Sequence, residues 1–109
     1  MCRMLGVISS KPQRIGLWIP ALEIQAKTGM HHPHSDGYGV AFYKDRTLHL
    51  RHEVRPVWER SPIVNEDETG TCLVMHARKA SKGATTLDNV QPFYARSDDW
   101  HLVYCHNGT

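Results

Sequence analysis

The first part of the chain alternates short apolar runs with polar, turn-forming segments. The apolar run from Met4 to Ile8 is followed by serines and a proline, and this pattern predicts a buried strand. Apolar residues then recur at helical spacing. Pro20 can open a helix because the first turn needs no backbone N–H from it, and Gly29 suits the end of one. We therefore expect a helix over about residues 20–28.

Two further apolar segments flank a short polar turn in the middle of the chain. Val40–Tyr43 is apolar and Thr47–Leu50 alternates, so the pair predicts a β-hairpin. Pro56–Ser61 is typical of a short helix, and Cys72–Met75 is a fully apolar strand. Strands thus outnumber helices, which favours sheets covered on one face by helices.

The last third of the chain is mostly polar. Residues 81–99 resemble a loop except for the Pro92-Phe93-Tyr94 segment, and Trp100–Cys105 is again strand-like. That strand leads into Asn107-Gly108, a strong hairpin signal with only Thr109 after it. We therefore expect residues 1–109 to be the N-terminal portion of one longer domain.

Composition narrows the possible functions. Of 109 residues, 40% are hydrophobic, and 13 Lys and Arg against 11 Asp and Glu give a net charge of +2, so the profile is not that of a nucleic-acid-binding protein. We expect neither a membrane-spanning segment nor a secretory signal. Three widely spaced cysteines make neither a disulfide framework nor a C-x-x-C zinc site, which favours a reducing, cytoplasmic compartment.

Cys2 is a candidate nucleophile because of its position. Removal of the initiator Met1 would leave cysteine with a free α-amine, whose pKa is roughly 7.7–8.0. Such an amine can act as general base for its own thiol, as it does for N-terminal threonine. Position 2 also simply accepts small residues, so the position alone does not decide between the two interpretations.

Two other segments could carry chemistry. Arg78 follows the apolar strand and could offer a two-pronged donor to a carboxylate, although an ordinary surface arginine is the simpler interpretation of it in isolation. The side-chain amide of Asn107 and the N–H of Gly108 could converge on one oxyanion, although a plain turn explains them too.

The histidine-rich loop suggests metal binding at first sight. His31, His32, His34 and Asp36 lie close together in sequence, but their spacing matches no known zinc pattern and no helix presents them on one face. We therefore expect no metal and no other cofactor.

The candidate segments gain specificity when they are taken together. Five blocks follow one another along the chain: Met1-Cys2-Arg3-Met4-Leu5-Gly6, His34-Ser35-Asp36-Gly37-Tyr38-Gly39-Val40-Ala41-Phe42-Tyr43, His76-Ala77-Arg78-Lys79-Ala80, Asn89-Val90-Gln91-Pro92-Phe93 and His106-Asn107-Gly108. In this order they resemble the class II glutamine amidotransferases, most closely the short stand-alone bacterial type.

This resemblance implies an α+β fold, that of the N-terminal nucleophile hydrolases, in which two stacked antiparallel sheets lie between layers of helices. It implies Cys2 as the nucleophile and Arg78 as the group that binds the α-carboxylate of glutamine. Asn107 and Gly108 match the oxyanion donors. Asp36 and Gly37 match a loop that shapes the substrate site.

The implied activity is hydrolysis of the glutamine side-chain amide through a cysteine thioester, with release of ammonia. One alternative is a hydrolase of larger γ-glutamyl amides, because Lys79 stands where many relatives carry an aromatic residue. Another is an inactive domain that binds a partner or a metal. The expected partner is a small molecule, glutamine or a γ-glutamyl compound, with no nucleic acid and no membrane. An exposed strand edge leaves a homo-oligomer open.

Overall fold

The computed structural model describes residues 2–29, 32–59, 63–65 and 67–108. They form an α+β unit with one helix, α1 (Ile19–Thr28). The six strands are β1 (Arg3–Arg14), β2 (Tyr38–Lys44), β3 (Thr47–Glu53), β4 (Thr69–Ala77), β5 (Phe93–Arg96) and β6 (His101–Tyr104). Short 3-10 turns cover Ile15–Leu17, Val57–Glu59 and Leu87–Asn89.

Four strands make one antiparallel sheet in the order β1-β4-β2-β3. Ala77 at the end of β4 pairs with Arg3 at the start of β1 and with Tyr38 at the start of β2. The start of β1, the start of β2 and the end of β4 therefore meet at one edge of the sheet, and residues just outside these strands are brought together there.

Helix α1 covers one face of the sheet. Leu22 and Ala26 lie four residues apart on the same side of the helix, and both are buried. They join a core that includes Val40, Phe42 and Met75 from the two central strands. Each large apolar side chain buried there contributes about 1.5–3 kcal/mol, which makes this face the main source of stability.

The opposite face of the sheet lies under a two-stranded ribbon of β5 and β6. Tyr43, Leu48 and Leu50 of the sheet line one cavity of about 460 Å³ together with Tyr94 and His101 of the ribbon. The ribbon therefore begins a third layer beyond the helix and the sheet.

Most of the predicted elements are confirmed. The strand predicted from Met4 to Ile8 is the first part of β1, and the predicted hairpin is β2 and β3, turning at Asp45 and Arg46 with positive φ. Helix α1 begins one residue before Pro20 and ends at Thr28, and the N–H of the capping residue Gly29 donates to the Gln25 carbonyl at 3.1 Å.

Two predictions need correction or restriction. Residues 81–99, predicted as a loop apart from Pro92-Phe93-Tyr94, contain strand β5, which pairs with β6. Its sequence signal is weak because the strand has four residues and Tyr94 and Arg96 are exposed. The helix predicted over Pro56–Ser61 is a 3-10 turn at Val57–Glu59, and residues 60–62 lie outside the described part. Among the described helices, none is long and apolar enough to cross a membrane.

Candidate active site

Cys2 lies just before β1, beside the residues that leave β4. Because Arg3 pairs with Ala77, the Cys2 side chain comes next to Lys79. The Lys79 N–H donates to the Cys2 Sγ at 3.5 Å, and the thiol donates to the Lys79 carbonyl oxygen at 3.8 Å. Cys2 is 5% exposed, so these contacts fix the position of its sulfur at the edge of the sheet.

Arg78 is buried, and a loop wraps its guanidinium. Its Nη1 donates to the Ala84 carbonyl at 3.0 Å and its Nη2 to the Lys82 carbonyl at 3.2 Å. Gly83 allows the loop to turn there with a φ of 85°, a value that favours glycine. Asn89 closes the loop by donating from Nδ2 to Ala84 at 3.0 Å. These bonds hold the Arg78 guanidinium, which has five N–H donors, in one orientation.

Asp36 and Gly37 hold the backbone around Arg78. The Asp36 N–H donates to the Arg78 carbonyl at 3.0 Å, and the Arg78 N–H donates to the Gly37 carbonyl at 2.8 Å. The Asp36 Oδ2 also accepts a hydrogen bond from the Ala80 N–H at 2.7 Å. Gly37 has φ of 112°, and a Cβ there would lie 2.8 Å from the Glu53 carbonyl oxygen. The loop that contains Asp36 and Gly37 therefore holds the backbone of residues 78–80 in place.

These elements line an open cavity of about 210 Å³, to which residues near both ends of the described chain contribute. It is smaller than the roughly 300–1,000 Å³ of drug-sized pockets, so it suits a ligand of amino-acid size. Eleven residues line it: Cys2, Arg78, Lys79, Ala80, Ser81, Lys82, Asn89, Gln91, Phe93, His106 and Gly108. Three of them carry a cationic side chain, and none of these lining residues is Asp or Glu.

The structure brings together only part of the predicted set. Cys2, Arg78 and Gly108 line the same cavity, whereas the exposed Asn107 adjoins Gly108 without being among the lining residues. Asp36 and Gly37 contact backbone behind Arg78 and do not line the cavity.

The sequence pattern assigns no role to Gln91. It is 8% exposed, and its Oε1 accepts a hydrogen bond from the His106 N–H at 2.7 Å. The feature of the sequence that points to Gln91 is its position inside the block Asn89–Phe93. The sequence pattern also singles out neither Lys82 nor Ser81, because exposed polar residues in a loop carry no pattern of their own.

Burial perturbs two titratable groups close to this cavity. The pKa of His76 is lowered to about 4, first by burial and then by the nearby charges of His106, Arg78 and His34, while the His106 backbone partly opposes this shift. His76 is therefore neutral at pH 7. The pKa of the Cys105 thiol is raised by burial and by the charge of Cys2.

The histidine loop is tied to the helix. The His34 N–H donates to the Ala26 carbonyl at 2.8 Å, and the His34 ring is buried with Nδ1 at 3.4 Å from the same oxygen. Among residues 2–29, 32–59, 63–65 and 67–108, no group of three or more His, Cys, Asp or Glu is arranged to hold a metal ion. His31 lies outside the described residues.

The sequence of this chain matches a known protein family and several known proteins. A family model described as "Glutamine amidotransferases class-II" matches residues 1–109. "Putative glutamine amidotransferase YafJ" of Escherichia coli is 31% identical over 112 residues, which are 99% of this chain and 43% of that protein. A "Putative glutamine amidotransferase" of Haemophilus influenzae is 28% identical over 112 residues, 99% of this chain and 37% of the relative.

A third relative is an uncharacterized protein of Methanocaldococcus jannaschii. It is 27% identical over 114 residues, which cover all of this chain and 30% of that protein. The chain thus spans less than half the length of each of these three curated relatives.

Proposed function

The chain belongs to the class II glutamine amidotransferases, and on this premise we propose that it hydrolyses the side-chain amide of glutamine with Cys2 as the nucleophile. The observation that carries the proposal is that the Cys2 thiol, the Arg78 guanidinium and the backbone of Gly108 line one small cavity. Cys2 and Gly108 stand 106 positions apart in sequence, so their meeting supports a shared role.

The nucleophile would work with the amine of the same residue. Once Met1 is removed, the α-amine of Cys2 takes the thiol proton, and the thiolate attacks the amide carbon of glutamine. The C–N bond then breaks, the amine returns its proton to the leaving ammonia, and a γ-glutamyl thioester remains. Water attacks the thioester, which releases glutamate and the thiol.

Two further groups would complete the reaction site. Arg78 has donors left after its two loop contacts, and these pair with the α-carboxylate of glutamine. Asn107 and Gly108 donate to the oxygen on which negative charge develops. The loss of one such donor typically costs about 2.7–4 kcal/mol of transition-state stabilisation.

Membership of this family also has a consequence for the fold. We infer that the chain forms the N-terminal portion of a single domain in which two antiparallel sheets stack between helices. The ribbon of β5 and β6 against the outer face of the four-stranded sheet supports this inference, because it supplies strands on the side where a second sheet belongs.

Replacement of the nucleophile tests the proposal. The Cys2→Ala protein should release glutamate from glutamine at least about 10³-fold more slowly than the wild type, because no thioester can form. Cys72→Ala, which alters a half-buried cysteine on β4, should keep the wild-type rate. Equal rates for Cys2→Ala and wild type would refute the mechanism, as would an active protein that mass spectrometry shows to retain Met1.

A second candidate substrate is a γ-glutamyl amide with a further carboxylate on its amine portion. The observation that favours it is the excess of positive charge in the cavity, where Lys79 and Lys82 stand beside Arg78. Glutamine offers only one carboxylate to these three cations. A γ-glutamyl peptide would add a second anionic group with which the lysines of this cavity could pair.

Charge removal separates the two substrates. Lys79→Gln should lower kcat/KM for a γ-glutamyl dipeptide by about 10-fold, the effect of one lost ion pair of about 1.4 kcal/mol, while turnover of glutamine changes little. Lys44→Gln, at the exposed end of β2, is the matched control. Equal losses for both substrates would contradict a second anionic subsite.

A further inference from the structure

We infer that Gln91 is a positioning residue that holds the His106-Asn107-Gly108 turn in place for catalysis. The inference rests on the proposed function, since it concerns the oxyanion donors of that reaction. Its starting point is the contact between the Gln91 Oε1 and the His106 N–H at 2.7 Å. The two lie fifteen positions apart in sequence, so this bond ties two separate segments together.

The turn depends on such a tie because its own side chains are exposed. His106, Asn107 and Gly108 all face solvent, whereas Gln91 is 8% exposed. A buried carbonyl oxygen that accepts a backbone N–H is costly to remove, because the N–H is then left without its partner. Gln91 therefore fixes the backbone immediately before the two proposed oxyanion donors.

Gln91 can act as an anchor because its own backbone is fixed on the sheet. The next residue, Pro92, accepts a hydrogen bond at its carbonyl oxygen from the Nε2–H of His52 on β3 at 2.7 Å. On β2, Gly39 lies directly beneath the Gln91 carbonyl, since a Cβ at Gly39 would overlap that oxygen. Contacts with β2 and β3 thus fix the backbone position of Gln91. Its side chain in turn holds the His106-Asn107-Gly108 turn in place relative to the sheet.

The geometry of an oxyanion hole makes such an anchor consequential. Its donors must lie about 2.7–3.1 Å from the oxygen that becomes charged. A displacement of about 1 Å can lower the rate by about 10²-fold. Loss of the anchor should therefore slow the chemical step more than it weakens binding of the substrate.

A pair of substitutions isolates the acceptor. Gln91→Met keeps the length of the side chain and removes the acceptor, so kcat for glutamine should fall by about 10²-fold while KM changes less than about 3-fold. Gln91→Glu keeps an acceptor oxygen and should recover most of the lost kcat. Alkylation of Cys2 by iodoacetamide needs no oxyanion hole, so its rate should be equal in wild type and Gln91→Met.

A readout independent of turnover accompanies the kinetics. Hydrogen exchange at the His106 amide should be slow in wild type and in Gln91→Glu, and faster in Gln91→Met by at least about 10-fold. If Gln91→Met keeps the wild-type kcat while Cys2→Ala is inactive, the inference is wrong and the proposed function stands. If Cys2→Ala is fully active, both are wrong.

Discussion

His76 shows how burial determines the charge of a single residue. Its side chain is fully buried on β4, and neither ring nitrogen makes a hydrogen bond of good geometry to a described residue. Protonation would place a charge next to Arg78 without water to solvate it. Burial therefore keeps the ring neutral and lowers its pKa to about 4.

This shift predicts how stability depends on pH. The unfolded chain has a histidine pKa of about 6.5, so below that value the unfolded state binds a proton that the folded state refuses. The free energy of unfolding therefore has its full value above pH 6.5 and decreases as the pH falls toward 4. Urea unfolding should therefore give a free energy about 2 kcal/mol lower at pH 5 than at pH 7 from this residue alone.

His76→Leu provides the comparison, because leucine cannot titrate. The wild type should lose about 2 kcal/mol more than His76→Leu over the same pH range. His32→Leu, which removes an exposed histidine, is the control for the replacement of an imidazole by leucine. Identical slopes for wild type and His76→Leu would show that His76 titrates normally in the folded protein.

Single residues also differ in how far the sequence predicts them. Cys2 and Arg78 belong to motifs whose residue types follow from the chemistry, so the sequence identifies them as candidates. Gln91 and His76 have their roles through contacts with segments far away in sequence, and no local pattern marks such contacts.

At the scale of elements, the close approach of β2 to the Gln91-Pro92 segment is the critical contact. Gly39 allows it, since a Cβ there would overlap the Gln91 carbonyl and lie 2.8 Å from the Cδ2 of His52. The first strand of the hairpin therefore needs glycine at this position for the sake of a segment about 50 residues later.

Gly39→Ala should consequently destabilise the protein by about 1–3 kcal/mol in urea unfolding, the usual cost of overpacking. Gly6→Ala on β1 is the matched control, because the nearest atom to its new Cβ, the Leu73 carbonyl oxygen, is 4.0 Å away. Gly6→Ala should leave stability unchanged or raise it slightly. Equal effects at the two glycines would contradict the close approach.

The predictability of elements follows the strength of their patterns. Helix α1 and the β2–β3 hairpin have apolar faces that pack on the core, so periodicity identifies them. Within the described part of the chain, strand β5 pairs only with β6 and leaves Tyr94 and Arg96 exposed, so its four residues carry too little pattern to separate them from a loop.

At the scale of the molecule, the candidate site exists because both ends of the described chain reach one edge of the sheet. Cys2 precedes β1, Arg78 follows β4, and His106 and Gly108 come after the ribbon. The antiparallel pairing of β1 with β4 brings the first two together. The ribbon of β5 and β6 crosses the outer face of the sheet, so that His106 and Gly108, which follow it, lie close to Cys2 and Arg78.

The sequence by itself determined the family, the α+β class and the residue types of the proposed chemistry, because local motifs specify the cysteine, the arginine and the Asn-Gly turn to which that chemistry is assigned. Only the tertiary structure decided that Gln91 anchors His106, that Gly39 lies under Gln91, and that His76 is buried beside Arg78. Contacts between distant segments arise from packing and strand register, which no stretch of sequence encodes locally.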